Sequence, residues 1–304
     1  MAVLIDAPRW PAHGTRFAHL VSDTSLNELH AFAEAAGLPA RAFDHDHYDV
    51  PERRHADLVA RGARPVPEKE LLRRLRAAGL RVRPAERTPS VAQVLPGLAQ
   101  AWQHLLDGAA DLGEELLSRW REPHRAYHDV RHLAQALSAA DLVSAGAAPR
   151  TVQLALWFHD AIYQRRPGHD EEESAALAAD RLTGRVPAGE VAEVVRLIRL
   201  TASHSPEPGD AAGAAVVDAD LSILGQRPGR YHVYVRDVRA EYDHLDGPTF
   251  RRGRLQVVER LAALDPLFTT PLGRDAWTAA ARANLAEERA RWTSPPAASA
   301  GRVP

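Results

Sequence analysis

The stretch Leu154-Ala155-Leu156-Trp157-Phe158-His159-Asp160 constrains this chain more than any other. Its five apolar residues read as a buried helix, yet the run ends on a histidine beside an aspartate. Taking both groups out of water is costly unless something pairs with them. A metal ion is the most economical partner. Candidate co-ligands lie on both sides: His128 in Tyr127-His128-Asp129-Val130-Arg131-His132, and Asp220 in Asp218-Ala219-Asp220-Leu221. The order His…His-Asp…Asp is the reason to expect an enzyme.

Composition narrows the chemistry. The chain has no cysteine, so any metal site uses nitrogen and oxygen donors and no disulfide forms. With 45% hydrophobic and 26% charged residues, a substantial core is available. The formal net charge of −2 argues against nonspecific nucleic-acid binding or adhesion to an acidic membrane. No stretch approaches the ~20 apolar residues that span a bilayer. The first residues, Met1-Ala2-Val3-Leu4-Ile5-Asp6, lack the basic start and long apolar run of a signal peptide. A cytoplasmic protein is expected, and a homo-oligomer is compatible with the sequence. Lysine occurs only at Lys69, so many of the arginines are ordinary solvated cations.

Two regions are expected. Residues 1–83 alternate strand and helix signals: strands at 2–5, 41–43, 64–66 and 80–83, helices at 25–36, 51–60 and 67–78. Ser25 with Glu28 reads as a capping box, and Gly37, Gly62 and Gly79 as helix stops. Such alternation predicts a small α/β domain with a short parallel sheet. Residues 84–96, with three prolines, read as a linker. Residues 97–292 carry helical periodicity, broken at Gly and Pro, over 98–120, 126–145, 150–163, 171–182, 188–202, 213–224, 229–245, 249–264 and 273–291. The tail 293–304 reads as disordered. The fold class is therefore mostly α, an all-helical bundle preceded by the small α/β domain.

Within the helical region His128 and His132 are four apart and share a helix face. Both could bind metal, or one could bind while the other supports it. Asp218 is an alternative to Asp220, or the cap of a helix starting there. Adjacent residues such as His159 and Asp160 diverge by roughly 100° on a helix, and still meet at an ion lying beside it. Two imidazoles and two carboxylates suit Mn, Co, Mg, Fe, Ni or Zn without choosing among them. Water at an open position of such an ion is acidified into a nucleophile near neutral pH.

Four strings carry a resemblance: Glu122-Pro123-His124-Arg125-Ala126-Tyr127-His128, Ala155-Leu156-Trp157-Phe158-His159-Asp160-Ala161-Ile162-Tyr163, Glu171-Glu172-Glu173-Ser174-Ala175, and Asp218-Ala219-Asp220-Leu221-Ser222-Ile223-Leu224-Gly225. Together, over residues 97–292, they resemble the HD-domain metal-dependent phosphohydrolase superfamily, in a bacterial branch described as predicted HD phosphohydrolases. The resemblance implies an all-helical bundle, a single divalent metal ion held by His128, His159, Asp160 and Asp220, and a small phosphorylated substrate, a nucleotide among the options. It also implies that a glutamate after the doublet, here Glu172, positions water or protonates the leaving group. His132 is expected in a supporting catalytic role. His124, Arg125 and Arg131 flank the first ligand and are expected to contact substrate, as is His204. Arg239, Tyr242 and Arg254 read first as surface or packing residues. Members of the superfamily with two metals need more histidines between the doublet and the last aspartate than His169 and His204, so mononuclear hydrolysis is expected.

The N-terminal strings, among them Trp10-Pro11-Ala12-His13-Gly14 and Phe43-Asp44-His45-Asp46-His47-Tyr48-Asp49-Val50-Pro51, resemble a small bacterial domain family of unknown function. Sites of parallel α/β domains form beyond the carboxyl ends of strands, which places Asp6, His13, His19, Asp44 and His47 as candidates for a second metal or phosphate site. Two other functions compete with hydrolysis. One is a non-catalytic metal- or nucleotide-binding regulatory module. The other is a nucleic-acid-processing fusion, for which the sequence offers no basic patch beyond Arg73, Arg74 and Arg76.

Overall fold

The computed structural model describes residues 2–293. The N-terminal region runs β1 (Val3–Ile5), β2 (Trp10–Ala12), β3 (Thr15–Ser22), α1 (Leu26–Ala35), β4 (Phe43–Asp44), β5 (His47–Pro51), α2 (Glu52–Ala60), β6 (Arg64–Pro65) and α3 (Glu68–Ala77). Ser25 caps α1 by accepting the Glu28 amide at 3.1 Å, as its position before the apolar run predicts.

The sheet is mixed, which corrects the expectation of a parallel one. Strand order is β4-β5-β3-β1-β6, with β2 pairing β3, and only β1 and β6 run parallel. The cause lies in two residues. Ala12 pairs with Thr15, leaving His13 and Gly14 as the whole turn, at φ 47° and 74°. Positive φ at both positions matches a two-residue turn to the strand twist. The segment after β1 is therefore a hairpin, not a long loop. Along β3, Ala18 and Leu20 are fully buried while Phe17 and His19 are partly exposed, the alternation of a strand with one face on a core. The fourth expected strand, 80–83, does not form. There the Val82 amide donates to the buried Asp46 carboxylate at 2.7 Å instead of joining a ladder.

The helical region comprises α4 (Val91–Leu105), α5 (Ala110–Arg119), α6 (Val130–Val143), α7 (Arg150–Phe158), α8 (His169–Leu182), α9 (Ala188–Leu200), α10 (Ala211–Asp220), α11 (Pro228–Glu241), α12 (Gly247–Ala263) and α13 (Pro271–Thr293). The single helix expected over 98–120 is split at Gly108, φ 75°. The end of the expected 213–224 helix tightens into a 3-10 turn, Leu221–Gly225. Thr293 closes α13; the remainder of the expected tail lies outside the described residues.

One apolar core runs through the bundle, with Trp102, Trp120, Trp157 and Phe158 among its buried residues. Burial of a large apolar side chain stabilises by about 1.5–3 kcal/mol. The indole of Trp120 donates to the Trp157 carbonyl at 2.9 Å, tying α5 to the helix that bears the His-Asp pair. Gly113 is required for this packing, since a Cβ there would lie 2.2 Å from the Trp102 ring.

The stretch expected as a linker is held at several points. Arg87 pairs with Asp44 at 2.8 Å, the Thr88 amide donates to His45 Nε2 at 2.8 Å, and α4 starts at Val91, inside the span read as linker. Ser90 and Gln93 form the capping box that starts this helix, so Pro96 falls within it. The two regions also share packing. Val233 of α11 belongs to the core of the N-terminal sheet, and His30 of α1 bonds His232 of α11 at 3.0 Å between ring nitrogens. No helix among the described residues is long and apolar enough to cross a membrane.

Candidate metal centre

The bundle brings its centre together from helix ends. α6 begins on Asp129, whose carboxylate accepts the Arg131 amide at 2.8 Å, and this start turns His132 inward, 3% exposed. α7 ends at Phe158, so His159 and Asp160 follow the last apolar turn at the bottom of the bundle. α10 ends on Asp220. His132 Nε2 lies 3.2 Å from His159 Nε2, 3.2 Å from Asp220 Oδ1 and 3.7 Å from Asp160 Oδ2. His159 Nε2 lies 3.2 Å from Asp160 Oδ2 and 3.6 Å from Asp220 Oδ1. His204 joins from beyond α9, its Nε2 3.0 Å from Asp220 Oδ2.

The far side of each imidazole is already engaged. His159 Nδ1 donates to the Leu156 carbonyl at 2.8 Å, and His132 Nδ1 is bonded to the Tyr127 hydroxyl at 3.1 Å. A carbonyl only accepts, so His159 carries a proton on Nδ1 and, when neutral, turns the Nε2 lone pair toward the two carboxylates. Burial opposes charge on Asp220, but hydrogen bonds from His132, His159 and His204 hold it well below the usual carboxylate range. Burial also opposes the His159 cation, and the Asp160 and Asp220 carboxylates overcome it, raising His159 well above its ordinary value. The pocket is thus built to accept positive charge among nitrogen and oxygen donors, and those donors fit a first-row divalent ion.

This geometry places His132, and not His128, among the clustered side chains. His132 occupies the place assigned to His128. His128 instead donates from Nδ1 to Glu241 Oε2 at 2.7 Å, stacks on the Tyr163 ring at 4.3 Å, and borders the cavity beside the cluster. Glu241 is 1% exposed and was absent from the sequence candidates. Its Oε1 also accepts the amides of Ala126, Tyr127 and His128 at 2.9, 2.8 and 2.8 Å, and its Oε2 the Tyr163 hydroxyl at 2.9 Å. Burial opposes the His128 cation, and the charge and hydrogen bond of Glu241 outweigh it, raising His128 above its ordinary value. Nothing in the sequence linked a glutamate more than 100 positions away to His128.

A cavity of about 360 Å³ opens from the cluster, bordered by His128, Asp160, His204 and Asp220, with Arg165 and Arg260 among its other walls. Tyr242 and Arg254 line it as well, although Arg254 is committed to a buried ion pair with Glu288 at 2.7 Å.

Several expected substrate contacts are elsewhere. Arg125 is buried and donates to the carbonyls of His128, Asp160 and Ala161 at 3.0, 2.7 and 3.2 Å. It ties the segment around His128 to the one around Asp160 and is not free for a phosphate. Arg131 closes on Asp129 at 2.8 Å and on the Ala126 carbonyl at 2.5 Å, off the main cavity. His124 bonds the Tyr163 carbonyl at 2.7 Å. Asp218 is neither ligand nor cap of its own helix; it receives the amides of Thr269 and Thr270, both at 2.8 Å, ahead of α13.

Glu172, expected to act on water or the leaving group, is 55% exposed in its side chain and pairs with Arg199 at 2.6 Å on the outer surface. It follows Asp160 in sequence but does not border the cavity beside the cluster. Exposed pairs contribute little, so Glu172→Ala should leave any turnover within about twofold of the parent and the melting midpoint unchanged. A loss of turnover at constant stability would restore Glu172 to the site.

In the N-terminal region the candidates divide. Asp6 and His19 meet, the His19 Nδ1 donating to Asp6 Oδ2 at 2.9 Å. His47 lies next to them, its ring 4.9 Å from that of His19. His13 sits in the exposed β2–β3 turn, where positive φ explains its position. Asp44 is occupied by His45 at 2.6 Å and Arg87 at 2.8 Å. The residue not anticipated is Asp49, which groups with His19 and His47. Its signal was the alternation His47-Tyr48-Asp49 along one strand, legible once that segment is taken as β5 and not as a loop.

Among known families, one described as a protein of unknown function (DUF4031) matches residues 3–78. No curated protein and no solved structure matches the chain.

Proposed function

We propose that the helical region is a metal-dependent hydrolase of a small phosphorylated substrate, a nucleotide among the candidates. The observation that carries this reading is the convergence of His132, His159, Asp160 and Asp220 at the edge of a 360 Å³ cavity. It agrees with the resemblance of residues 97–292 to HD-domain phosphohydrolases. These four residues would hold one divalent ion. That ion, when bound, supplies an acidified water and polarises a phosphoryl oxygen.

The protein's own groups then have distinct tasks. His128, its Nδ1 fixed on Glu241, keeps Nε2 for proton exchange at the cavity and serves as the acid toward the leaving oxygen. His204 holds Asp220 in orientation. Arg260 and Arg165, on the cavity wall, offer guanidinium charge to a phosphoryl group, a role transferred from Arg125 and Arg131. The apolar wall, including Leu221, Leu224 and Val238, accommodates the remainder of the substrate and limits bulk water.

The test is purified chain with Mn²⁺ or Co²⁺ against a panel of nucleotides and phosphomonoesters. Phosphate release that disappears in both His159→Ala and Asp160→Ala, with the circular dichroism of the parent kept, supports the reading. Tight nucleotide binding without turnover would replace it with a regulatory module. Retention on heparin that falls steeply with salt would point to nucleic acid instead.

A further inference from the structure

We infer that the N-terminal region contains a second, independent metal site, formed by His19, His47 and Asp49 and open to its own cleft. Strand register creates it. β3 pairs antiparallel with β5 so that His19 lies directly opposite Asp49. His47 is two residues before Asp49, so its side chain projects from the same face of the sheet. One ligand atom from each of the three residues lies within 4.8 Å of the others, and His47 Nε2 is 3.5 Å from Asp49 Oδ1.

Both imidazoles are oriented from behind by buried carboxylates. Asp6, 2% exposed, accepts His19 Nδ1 at 2.9 Å and the His19 amide at 2.7 Å. Asp46, fully buried, accepts His47 Nδ1 at 2.7 Å and the Val82 amide at 2.7 Å, and pairs with Arg81 at 3.0 Å. A carboxylate on the far nitrogen fixes the tautomer and makes the near nitrogen a better donor to metal. With Nδ1 held by its carboxylate, each ring in its neutral form turns the Nε2 lone pair toward the side where Asp49 lies, the arrangement in which the three groups could share one metal ion. Two separate histidines, each with its own buried carboxylate, exceed what packing or hairpin formation requires.

The donor set is two nitrogens and one carboxylate without sulfur, so the ion is a divalent first-row transition metal such as Zn²⁺, Co²⁺ or Fe²⁺, in preference to Ca²⁺ or Mg²⁺. Three protein ligands leave coordination positions for water or a bound anion. They face a cleft of about 410 Å³ whose walls include Trp10, Arg81 and Arg87. The site lies on the sheet and shares no residue with the cluster between the helices.

The test is titration of the full-length, metal-stripped chain with Co²⁺, read by its visible absorption and by equivalents bound. Wild type is compared with His19→Ala, Asp49→Asn and, as a reference for the helical cluster, His159→Ala. The expected result is that His19→Ala and Asp49→Asn each lose one equivalent that His159→Ala retains, with circular dichroism unchanged. Asp6→Asn should keep that equivalent but weaken it by about 10–100-fold. The site is counted as the difference between wild type and Asp49→Asn, so it stands or falls regardless of metal at the helical cluster. Equal Co²⁺ stoichiometry, affinity and spectrum in wild type, His19→Ala and Asp49→Asn would overturn it.

Discussion

Replacing His132 with alanine should remove both metal and turnover from the helical region, whereas His128→Ala should remove turnover and keep the metal. The reason is geometric. His132 Nε2 faces His159 and Asp220 at 3.2 Å each, while the bonded nitrogen of His128 is turned onto Glu241. Loss of one of four donors costs the ion and, with it, several kcal/mol of transition-state stabilisation; at ~1.4 kcal/mol per factor of ten this is about 10³-fold or more in kcat/KM. Loss of a proton-transfer group typically costs about 10²–10⁴-fold. Rate alone therefore does not separate the two variants. Metal content does, and so does the pH profile, whose limb assigned to the acid should vanish in His128→Ala only. Should His128→Ala shed the ion while His132→Ala keeps it, the original ligand assignment from sequence is restored and the exchange of roles is wrong.

That exchange shows where the sequence ran short. His159 and Asp160 were legible because they end an apolar run, and a polar group there has to answer for its burial; Asp220 was named as a co-ligand and by the resemblance, with Asp218 as its alternative. His128 and His132 share a helical spacing, and spacing alone does not say which one points inward. The choice depends on where α6 begins, namely on Asp129 as its cap, which places His128 outside the helix and His132 in its first turn. Boundaries of this kind shift by a residue or two between readings of one sequence, and here two residues decide which histidine joins the cluster. Glu241 was illegible for a different reason: its partners are over 100 positions away, so nothing local signals its burial. In the N-terminal region the helices α1, α2 and α3 were legible from caps and glycine stops. The sheet direction was not, because it depended on recognising His13-Gly14 as a complete turn. The same oversight hid Asp49, whose partner His19 is reached only through the β3–β5 register.

Glu241 should prove the most consequential side chain for stability outside the apolar core. Its carboxylate gathers three backbone amides, the His128 ring and the Tyr163 hydroxyl into one buried knot. Removing one member of a buried charged pair commonly costs about 3–5 kcal/mol because the other is left without compensation, and here three amides are orphaned as well. Glu241→Ala should therefore lower the melting midpoint by roughly 10 °C, with Glu241→Gln less affected because it keeps an acceptor for the amides. The pH dependence gives a sharper signature. Burial raises the Glu241 carboxyl, but the His128 cation and the hydrogen bonds outweigh it and bring the group from 4.5 down to about 2. Its contribution is present above 4.5 and fades as pH falls toward about 2. His128 moves the other way, raised from 6.5, so its contribution is complete below that value and fades as pH climbs through the raised one. The stability difference between wild type and Glu241→Gln, measured by urea denaturation, should be greatest between about pH 4.5 and 6.5 and shrink on both sides. A difference that stays flat from pH 3 to pH 9 would show that Glu241 acts as a neutral acceptor, and that His128 is not held for proton transfer.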